Sequence, residues 1–335
     1  HTIYDLASLT KILATLPELM RLYTKGDFSP NDTFEDLLPR LKDTNKGGMT
    51  MKEVLSHYAQ FQSWIPFFNK TLDKNKKPLP EFYSTTPSDS FPTQVAKDLY
   101  LREGFTDSIY KRIDDSNLIK DKKYLYSDLP YYYFKLFIEK KTKKPLQEAV
   151  QKHFYRELGV YQLTYLPLER FPITNIAPAE DEKTFRGQEL RGYVHDQGAA
   201  LLGGVGGHAG LFGTADDVAK MMQMYLQKGY YGGTWYLQPQ AIQLFNTCNY
   251  CTEGNRRGLG FDKPQLGKAG PTCGCVPMES FGHTGFTGTF AWADPINEMV
   301  VVFLSNRTYP SAENKLLINK LIRQRVQEVV YKAGL

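Results

Sequence analysis

Ser8-Leu9-Thr10-Lys11 lies where a short, loosely alternating stretch gives way to a helical pattern of apolar residues. Positions i and i+3 share one face of a helix, so the serine hydroxyl and the lysine amine would be neighbours. A serine hydroxyl needs a base to become a nucleophile, and a partly desolvated lysine can be that base. Free backbone N–H groups at the first turn can also stabilise an oxyanion. The same spacing recurs at Ser108 and Lys111 in a polar stretch, so this motif needs support from other segments.

Length and composition indicate a globular chain with room for two domains. The chain has 335 residues, of which 41% are hydrophobic and 23% charged, with a formal net charge of +5. A chain of this length can bury a substantial core. Basic clusters such as 140–144 are short and dispersed, which favours a solvated surface over nucleic-acid binding. No apolar run reaches the roughly 18 residues of a membrane helix, so no membrane span is expected.

Apolar spacing and capping residues predict much of the secondary structure. A helical period covers 9–26, with a kink expected at Pro17, while the polar stretch 59–125 is predicted to hold short helices. Strands are predicted at 289–293 and 298–305. Further helices, each marked by a cap, a proline or a terminal glycine, are predicted at 50–57, 127–138, 145–158 and 214–229. The last helix is predicted over 312–332, with Leu316, Leu317, Leu321, Ile322, Val326 and Val329 on its buried side.

The four cysteines form two close pairs, Cys248 with Cys251 and Cys273 with Cys275. Such pairs are typical of a structural zinc site, of disulfides, or of unrelated free thiols, and the sequence leaves all three open. A catalytic metal is not expected here, since four thiolates would leave no open position for a substrate.

Two further stretches carry groups that the serine would need. Tyr126-Ser127-Asp128 offers a phenol that can relay a proton, beside a polar pair at a predicted helix start. The stretch from Gly282 to Gly288 offers a glycine-flanked strand edge, where the N–H of Phe286 could join that of Ser8 as an oxyanion donor.

These three stretches resemble the motifs of the serine β-lactamase and penicillin-binding-protein superfamily. The superfamily has Ser-x-x-Lys, Tyr-x-Asn and Lys-Thr-Gly in this order, and here they read Ser8–Lys11, Tyr126–Asp128 and His283–Gly285, with spacing similar to the class C-like branch. Similarity to one subfamily extends to 194–196, 203–216, 257–261 and 281–289 and so covers nearly the whole chain. That subfamily includes β-lactamase-like modules found free or fused to family 3 glycoside hydrolases.

The resemblance implies a role for each motif residue. Ser8 would be the acylated nucleophile, Lys11 its base, and Tyr126 the group that passes protons to the leaving atom. His283 would stand at the lysine of the third motif. Substrate contacts would come from Asp128, Thr284, Gly285 and the N–H groups of Ser8 and Phe286. The catalytic chemistry of the family requires no cofactor. A structural zinc ion bound by the four cysteines is then the only metal that the sequence still suggests.

The implied fold is α/β (α+β), with an antiparallel sheet flanked by helices and an inserted, mainly helical domain. The sheet domain is expected to combine 1–7 with 235–335, and the helical domain to cover 8–234, with the active site between them. Family members usually have tens of residues of strand and helix before the serine, whereas seven residues precede Ser8 here. The N-terminal strands are therefore expected to be absent or supplied by another segment.

Two substitutions at motif positions predict a change in substrate charge. The family asparagine, which can donate a hydrogen bond, is replaced by Asp128, which when ionised can only accept. The family lysine is replaced by His283, which is mostly neutral at pH 7 if its pKa is near 6.5. Both changes favour a neutral ester or amide over a β-lactam or a peptide carboxylate. His283 could also simply pair with a neighbouring acid, and Asp128 could serve only as a helix cap.

The sequence therefore predicts a serine acyl hydrolase, with a non-catalytic wall-binding or assembly module as the rival. Its partners would be a small-molecule or peptide acyl substrate, with a peptidoglycan fragment as one choice. The resemblance also raises a fusion to, or association with, a family 3 glycoside hydrolase. Export to the periplasm or cell envelope of a bacterium is expected on the same ground.

Overall fold

The computed structural model of the protein describes residues 2–265 and 270–334. The strands are β1 (Tyr4–Asp5), β2 (Tyr83–Ser84), β3 (Thr93–Ala96), β4 (Leu99–Leu101), β5 (Glu180–Asp181), β6 (Glu189–Leu190), β7 (Phe212–Gly213), β8 (Tyr230–Tyr231), β9 (Thr234–Trp235), β10 (Phe281–Thr284), β11 (Phe290–Asp294) and β12 (Met299–Phe303). The α-helices are α1 (Leu16–Thr24), α2 (Phe34–Leu37), α3 (Met51–Leu55), α4 (Phe105–Asp114), α5 (Leu129–Thr142), α6 (Leu146–Val150), α7 (Arg156–Leu158), α8 (Gln197–Leu201), α9 (Ala215–Leu226), α10 (Pro239–Asn246), α11 (Leu316–Asn319) and α12 (Ile322–Gly334). Within the described ranges, no helix has the length and apolar character needed to cross a membrane.

An antiparallel sheet with the strand order β10–β11–β12 lies near the C-terminal end of the chain. Ala291 and Ala293 of β11 belong to the main core, on the side where α9 packs against the sheet. Phe290 and Trp292 lie in a second cluster with Tyr331 of α12. Since side chains alternate along a strand, β11 has one helix packed on each face. The predicted α/β class, with an antiparallel sheet flanked by helices, is confirmed.

The two predicted strands near the C-terminal end and several predicted helices are also confirmed. Strands β11 and β12 lie at the predicted positions. Thr50 accepts a hydrogen bond from the Glu53 N–H at 3.3 Å, and the Glu53 carboxylate accepts from the Thr50 N–H at 2.9 Å, which completes the predicted capping box. The predicted helices at 127–138 and 214–229 correspond to α5 and α9. The division of the chain into two domains stays a prediction.

Pro17 changes the form of the helix that follows the Ser8 motif. Residues Lys11–Thr15 form a π-helical turn, and α1 begins directly after it, with Pro17 in its first turn. A proline has no N–H group, so backbone carbonyl groups one turn earlier lose a partner. The Leu13 carbonyl accepts from the Tyr155 hydroxyl at 2.9 Å, and the Ile12 carbonyl from the Tyr225 hydroxyl at 2.6 Å. Buried tyrosines therefore stabilise the turn that carries Lys11.

Two predictions of secondary structure are wrong. The stretch 59–125 contains three short strands in the order β2–β4–β3 before α4, rather than helices alone. These strands are too short for their alternation to stand out in the sequence. The single helix predicted over 312–332 is broken at Leu321, whose φ is 52°. Its predicted buried side is largely exposed, with Leu316 60% and Val329 65% accessible, because an amphipathic period identifies an apolar face but not whether another element covers it.

All four cysteines are oxidised. Cys248 is bonded to Cys251, and Cys273 to Cys275, so the disulfide alternative is the one that the structure contains. A sulfur atom in a disulfide is not available as a thiolate ligand for zinc. In residues 2–265 and 270–334, no group of three or more His, Cys, Asp and Glu side chains is placed to hold a metal ion.

Candidate active site

A tight turn between β1 and the π-helical turn presents Ser8. Ala7, directly before it, has a φ of 47°, a conformation that a residue with a side chain rarely adopts. The Asp5 carboxylate accepts hydrogen bonds from the N–H of Ala7 at 2.8 Å and from the N–H of His195 at 2.6 Å. Burial raises the pKa of Asp5, although these backbone donors and the charge of His195 oppose that effect. Asp5 therefore stabilises the turn in which the nucleophile lies.

Lys11 is fully buried beneath this turn, and three oxygen atoms surround its amine. Its Nζ lies 3.0 Å from Ser8 Oγ, 2.5 Å from Asp128 Oδ1 and 3.2 Å from the carbonyl oxygen of His208. An ammonium group can donate to all three. A neutral amine can accept the Ser8 proton with its lone pair while its two N–H groups still donate to Asp128 and His208. The geometry therefore suits Lys11 both before and after it takes a proton from Ser8.

Tyr126 closes the same cluster from the segment before α5. Its ring centroid lies 5.0 Å from Lys11 Nζ, and its hydroxyl is buried without a hydrogen bond of ordinary geometry. Burial, and then the charge of Asp128, raise the pKa of Tyr126 well above 10, while Arg257 and the nearby Ser8 lower it in part. In the resting protein Tyr126 is therefore a neutral phenol that has a proton to give.

Asp128 lies directly before α5, yet its side chain makes no capping hydrogen bond to that helix. Instead it forms an ion pair with Lys11, in which 25% of the Asp128 side chain is exposed and none of the Lys11 side chain. The carboxylate thus faces the cleft while it balances a buried charge. The alternative that Asp128 serves only as a helix cap does not agree with this geometry.

The third motif lies on and just after β10, against the Ser8 turn. Thr287 Oγ1 donates to the Asp5 carbonyl at 2.9 Å, and Thr289 Oγ1 donates to the Leu6 carbonyl at 3.0 Å. A Cβ atom added to Gly285 would lie 2.0 Å from Thr289 Oγ1 and 2.8 Å from the Leu6 carbonyl oxygen, so only glycine fits there. These contacts bring the residues after β10 next to the residues before Ser8.

Phe286 and Ser8 offer free backbone donors at this junction. Throughout the described ranges, neither N–H donates to a protein acceptor. The Phe286 side chain is 57% exposed and packs between the His195 ring, 5.4 Å away, and the Arg307 guanidinium group, 4.6 Å away. His195 Nε2 is in turn 2.8 Å from a Glu180 carboxylate oxygen. Two groups on other segments thus fix the loop that carries the free N–H group of Phe286.

His283 is buried on β10 and does not pair with an acid. Its Nδ1 lies 2.6 Å from the Thr284 carbonyl oxygen, and its Nε2 lies 3.1 Å from Arg257 Nη1. Burial and the charge of Arg257 lower the pKa of His283 well below 6.5, so it is neutral, in agreement with the sequence-based expectation. Thr284 lies beside it at the end of β10 and is partly exposed.

Several residues of the site carry no motif signal. His57 packs against the Tyr126 ring at a tilt of 42°, with centroids 4.6 Å apart, and accepts a hydrogen bond from the Ser127 N–H at 3.2 Å. Burial, and then the charge of Arg257, lower the pKa of His57 well below 6.5. Arg257 stands in a segment that resembles the family, but nothing in that segment says that it meets His283. Ser108, which repeats the spacing of the Ser8 motif, lies on the exposed side of α4, unlike the buried cluster around Lys11.

Asp196 and His208 form a second polar pair beside the cleft. His208 Nε2 is 2.8 Å from Asp196 Oδ1. Burial acts to raise the pKa of Asp196, but the charge and hydrogen bond of His208 outweigh it and hold that pKa well below its usual range. With Trp64 and Phe68, this pair and Asp128 line a small cavity. The wall of the cleft near Asp128 therefore carries two carboxylates.

Comparison with known proteins agrees with this arrangement. Residues 1–323 match the family model described as Beta-lactamase. A protein of Escherichia coli strain K12 named "Putative D-alanyl-D-alanine carboxypeptidase" is 30% identical over 332 residues, which cover 92% of this chain and 70% of that protein.

Two solved structures illustrate the shared fold. EstCE1, described as a hydrolase with promiscuous acyltransferase activity, gives a TM-score of 0.62 at 18% identity and covers 96% of this chain and 85% of that one. A D-stereospecific amidohydrolase from Streptomyces sp. gives a TM-score of 0.59 at 16% identity and covers 90% of this chain and 81% of that one. The family model spans nearly all of the chain, and the three motif segments meet around Ser8. The chain belongs to the beta-lactamase family and is a serine acyl hydrolase.

Proposed function

We propose that this protein hydrolyses a neutral ester or amide through an acyl-enzyme on Ser8. The observation that carries this proposal is the position of the Lys11 amine between Ser8 Oγ, at 3.0 Å, and Asp128 Oδ1, at 2.5 Å. The Lys11 amine thus contacts both the serine that it can activate and a carboxylate at the edge of the cleft. The first contact supports catalysis and the second supports the choice of substrate.

The proposed reaction uses groups of this chain alone. Ser8 Oγ attacks the carbonyl carbon as its proton passes to Lys11, and the N–H groups of Ser8 and Phe286 stabilise the oxyanion. Tyr126 gives its proton to the leaving atom and regains one from Lys11. Water then attacks the acyl carbon and loses a proton to the same pair of side chains, which return a proton to Ser8 Oγ as its bond to the acyl carbon breaks.

Charge in the cleft supports a substrate without an anionic group near the scissile bond. Asp128, whose Oδ1 lies 2.5 Å from Lys11 Nζ, lines a small cavity together with Asp196. Lys11 is fully buried and already paired, so it offers no free charge to a substrate carboxylate. A like charge at about 4 Å disfavours binding by roughly 1 kcal/mol in bulk water and by roughly 4 kcal/mol near a protein surface.

A D-alanyl-D-alanine carboxypeptidase is the second candidate. The name of the Escherichia coli relative, which is 30% identical, favours this activity. The positive charge of Arg257 next to the third motif favours it as well. Arg257 is only 3% exposed, so it could act on a substrate carboxylate only through its field. A peptidoglycan-derived peptide would be the substrate in this case.

Covalent labelling tests these possibilities against a non-catalytic module. The purified protein would be incubated with a fluorophosphonate, with a penicillin and with a D-alanyl-D-alanine peptide, then analysed by mass spectrometry and for release of D-alanine. A phosphonyl adduct on Ser8 with little penicillin adduct is the expected result. Rapid penicillin labelling with D-alanine release would favour the carboxypeptidase, and no adduct with any reagent would favour a binding module.

Replacing Asp128 with asparagine is expected to shift the protein towards β-lactams. The variant loses one negative charge in the cleft and gains an amide that can donate to a substrate carbonyl. We expect the ratio of penicillin acylation to ester hydrolysis to rise about tenfold. The free energy of unfolding should fall by up to about 3 kcal/mol, because the buried Lys11 loses its counter-charge.

The matched control for this experiment is Asp121→Asn, which removes an exposed carboxylate paired with Lys123 and changes the net charge equally. Rates measured with a penicillin and a nitrophenyl ester give the ratio directly. The proposed role of Asp128 in choosing the substrate is wrong if the two variants give the same ratio.

Export to the periplasm or cell envelope is also proposed, since disulfides persist in oxidising compartments and the chain contains two. An association with a family 3 glycoside hydrolase stays a prediction from the resemblance.

A further inference from the structure

Arg257 is a buried arginine that belongs to none of the three motifs. It lies between α10 and β10, and its side chain is 4% exposed. Its Nη1 lies 3.1 Å from His283 Nε2, and its guanidinium carbon lies 5.0 Å from the centre of the Tyr126 ring. Its counter-charge is Asp262, at 3.4 Å. One side chain therefore contacts both the third-motif histidine and the catalytic tyrosine.

The partners of His283 determine where its proton lies. A guanidinium group can only donate a hydrogen bond, so Nε2 of His283 must be the acceptor of the contact with Arg257. A carbonyl oxygen can only accept, so Nδ1 must carry the proton that is donated to Thr284. An imidazolium ring would direct a second N–H group at the guanidinium. The observed contacts thus admit one tautomer of a neutral ring.

The charged groups around His283 also favour the neutral form of its ring, because they lower its pKa. Burial has the largest effect in lowering its pKa, followed by the charges of Arg257, Lys11 and Arg256. The neighbouring rings of Tyr126 and His57 carry no positive charge, since the pKa of His57 is also lowered. Asp262 lies across the bridge to Gly282, but its carboxylate is already paired with both arginines.

We propose that Arg257 is a positioning residue of the active site. Its guanidinium group fixes His283 as a neutral hydrogen-bond acceptor and holds beside Tyr126 the positive charge that the third motif itself lacks. The ring of His283 then acts as a rigid spacer between Arg257 and the Thr284 backbone, with no lone pair left for proton transfer. Arg257 also stabilises the negative charge that Tyr126 develops when it gives up its proton.

The tautomer can be tested in the wild-type protein. Long-range ¹H–¹⁵N correlation spectra distinguish the three protonation states of each histidine, and the spectrum of His283→Gln identifies the signals of His283 among the six histidines. We expect protonated Nδ1 and bare Nε2 throughout the range from about pH 5 to pH 8. An imidazolium signal in that range, or a proton on Nε2, would overturn the proposal.

Kinetics test the effect on the catalytic groups. In Arg257→Gln the histidine loses its cationic neighbour, so its pKa should rise, although burial still holds it below its ordinary value. The loss of activity at acidic pH should then begin at a higher pH than in the wild type, because the protonated ring repels Lys11 and no longer accepts a hydrogen bond. For a neutral nitrophenyl ester we expect kcat to fall roughly 10-fold to 100-fold with little change in KM. Arg257→Lys should recover part of kcat, since it restores the charge.

The control is Arg256→Gln, because Arg256 also pairs with Asp262 but is not in hydrogen-bond contact with His283. It should lower stability and shift the pH profile much less than Arg257→Gln does, because the charge of Arg256 has the smallest effect on the pKa of His283. Equal profiles and equal losses of kcat in the two glutamine variants would show that Arg257 is only structural. The kinetic part rests on the proposed hydrolase function, whereas the spectra do not. If the spectra show the expected tautomer but the protein has no hydrolase activity, the proposed function is wrong, whereas the proposed effect of Arg257 on His283 still holds.

Discussion

Ser8→Ala is expected to abolish acylation by a fluorophosphonate and to lower ester hydrolysis by a factor on the order of 10⁴ or more. The Ser8 hydroxyl lies 3.0 Å from Lys11 Nζ, where it can lose its proton to the amine and form the covalent intermediate. The fold should be unaffected, because Asp5 and the threonines at 287 and 289 bind the backbone of this turn and not the Ser8 side chain. Intact-mass spectrometry and nitrophenyl ester assays measure both effects.

The chain contains its own control for this experiment. Ser108 and Lys111 repeat the same spacing on α4, but Lys111 is 76% exposed and pairs with Asp115. Ser108→Ala should leave labelling and hydrolysis at the wild-type level. Residual labelling in Ser8→Ala, or loss of labelling in Ser108→Ala, would assign the nucleophile to another residue.

Tyr126→Phe is expected to lower kcat by roughly 10²-fold to 10⁴-fold, because it removes the proton donor for the leaving atom. The hydroxyl has no hydrogen bond of ordinary geometry, so its removal should change the free energy of unfolding by less than about 1 kcal/mol. The loss should be smaller for an ester with a good leaving group such as nitrophenolate than for an alkyl ester or an amide, since a good leaving group needs less help from a proton.

Tyr131→Phe is the matched control. Tyr131 is fully buried whereas Tyr126 is partly exposed, but its ring centroid also lies close to Lys11 Nζ, at 5.2 Å, and neither hydroxyl has a hydrogen-bond partner among the described residues. Loss of this hydroxyl should leave kcat within about twofold of the wild type, because the effect of Tyr126 depends on its hydroxyl and not on the ring. Similar losses in the two variants would mean that both act through packing around Lys11.

Much of the site could be predicted from the sequence because its residues act through short, local patterns. The spacing of Ser8 and Lys11 follows from helical geometry. The family resemblance pointed to Gly285 as a substrate contact, and the structure adds that two backbones approach too closely there for any other residue. The replacement of asparagine by Asp128 pointed to charge as the feature that differs. The structure adds that this charge is directed at Lys11, which no local pattern could indicate, since the two residues lie 117 positions apart.

Features that depend on tertiary contacts could not be predicted. Arg257 meets His283 only when the segment after α10 packs beside β10, so its sequence position carries no sign of its partner. The helix continues through Pro17 because the Tyr155 and Tyr225 hydroxyls donate hydrogen bonds to the free carbonyls of Leu13 and Ile12. Helix propensity does not indicate such contacts between distant residues. The exposed face of α12 was predicted as buried for the same reason, because periodicity says nothing about what packs on a surface.

The contact between the Ser8 turn and the loop after β10 has a consequence for the synthesis of the protein. Thr287 bonds to Asp5 across 282 positions of the sequence, and Phe286, whose N–H is the proposed second oxyanion donor, directly precedes it. Ser8 and Lys11 are synthesised long before Phe286, so the proposed site cannot be complete until the segment after β10 has left the ribosome. Closing so long a loop is a slow, late event in folding. Acylation of Ser8 should therefore report the arrival of the finished fold, and a truncated nascent chain should be inert towards the same reagents.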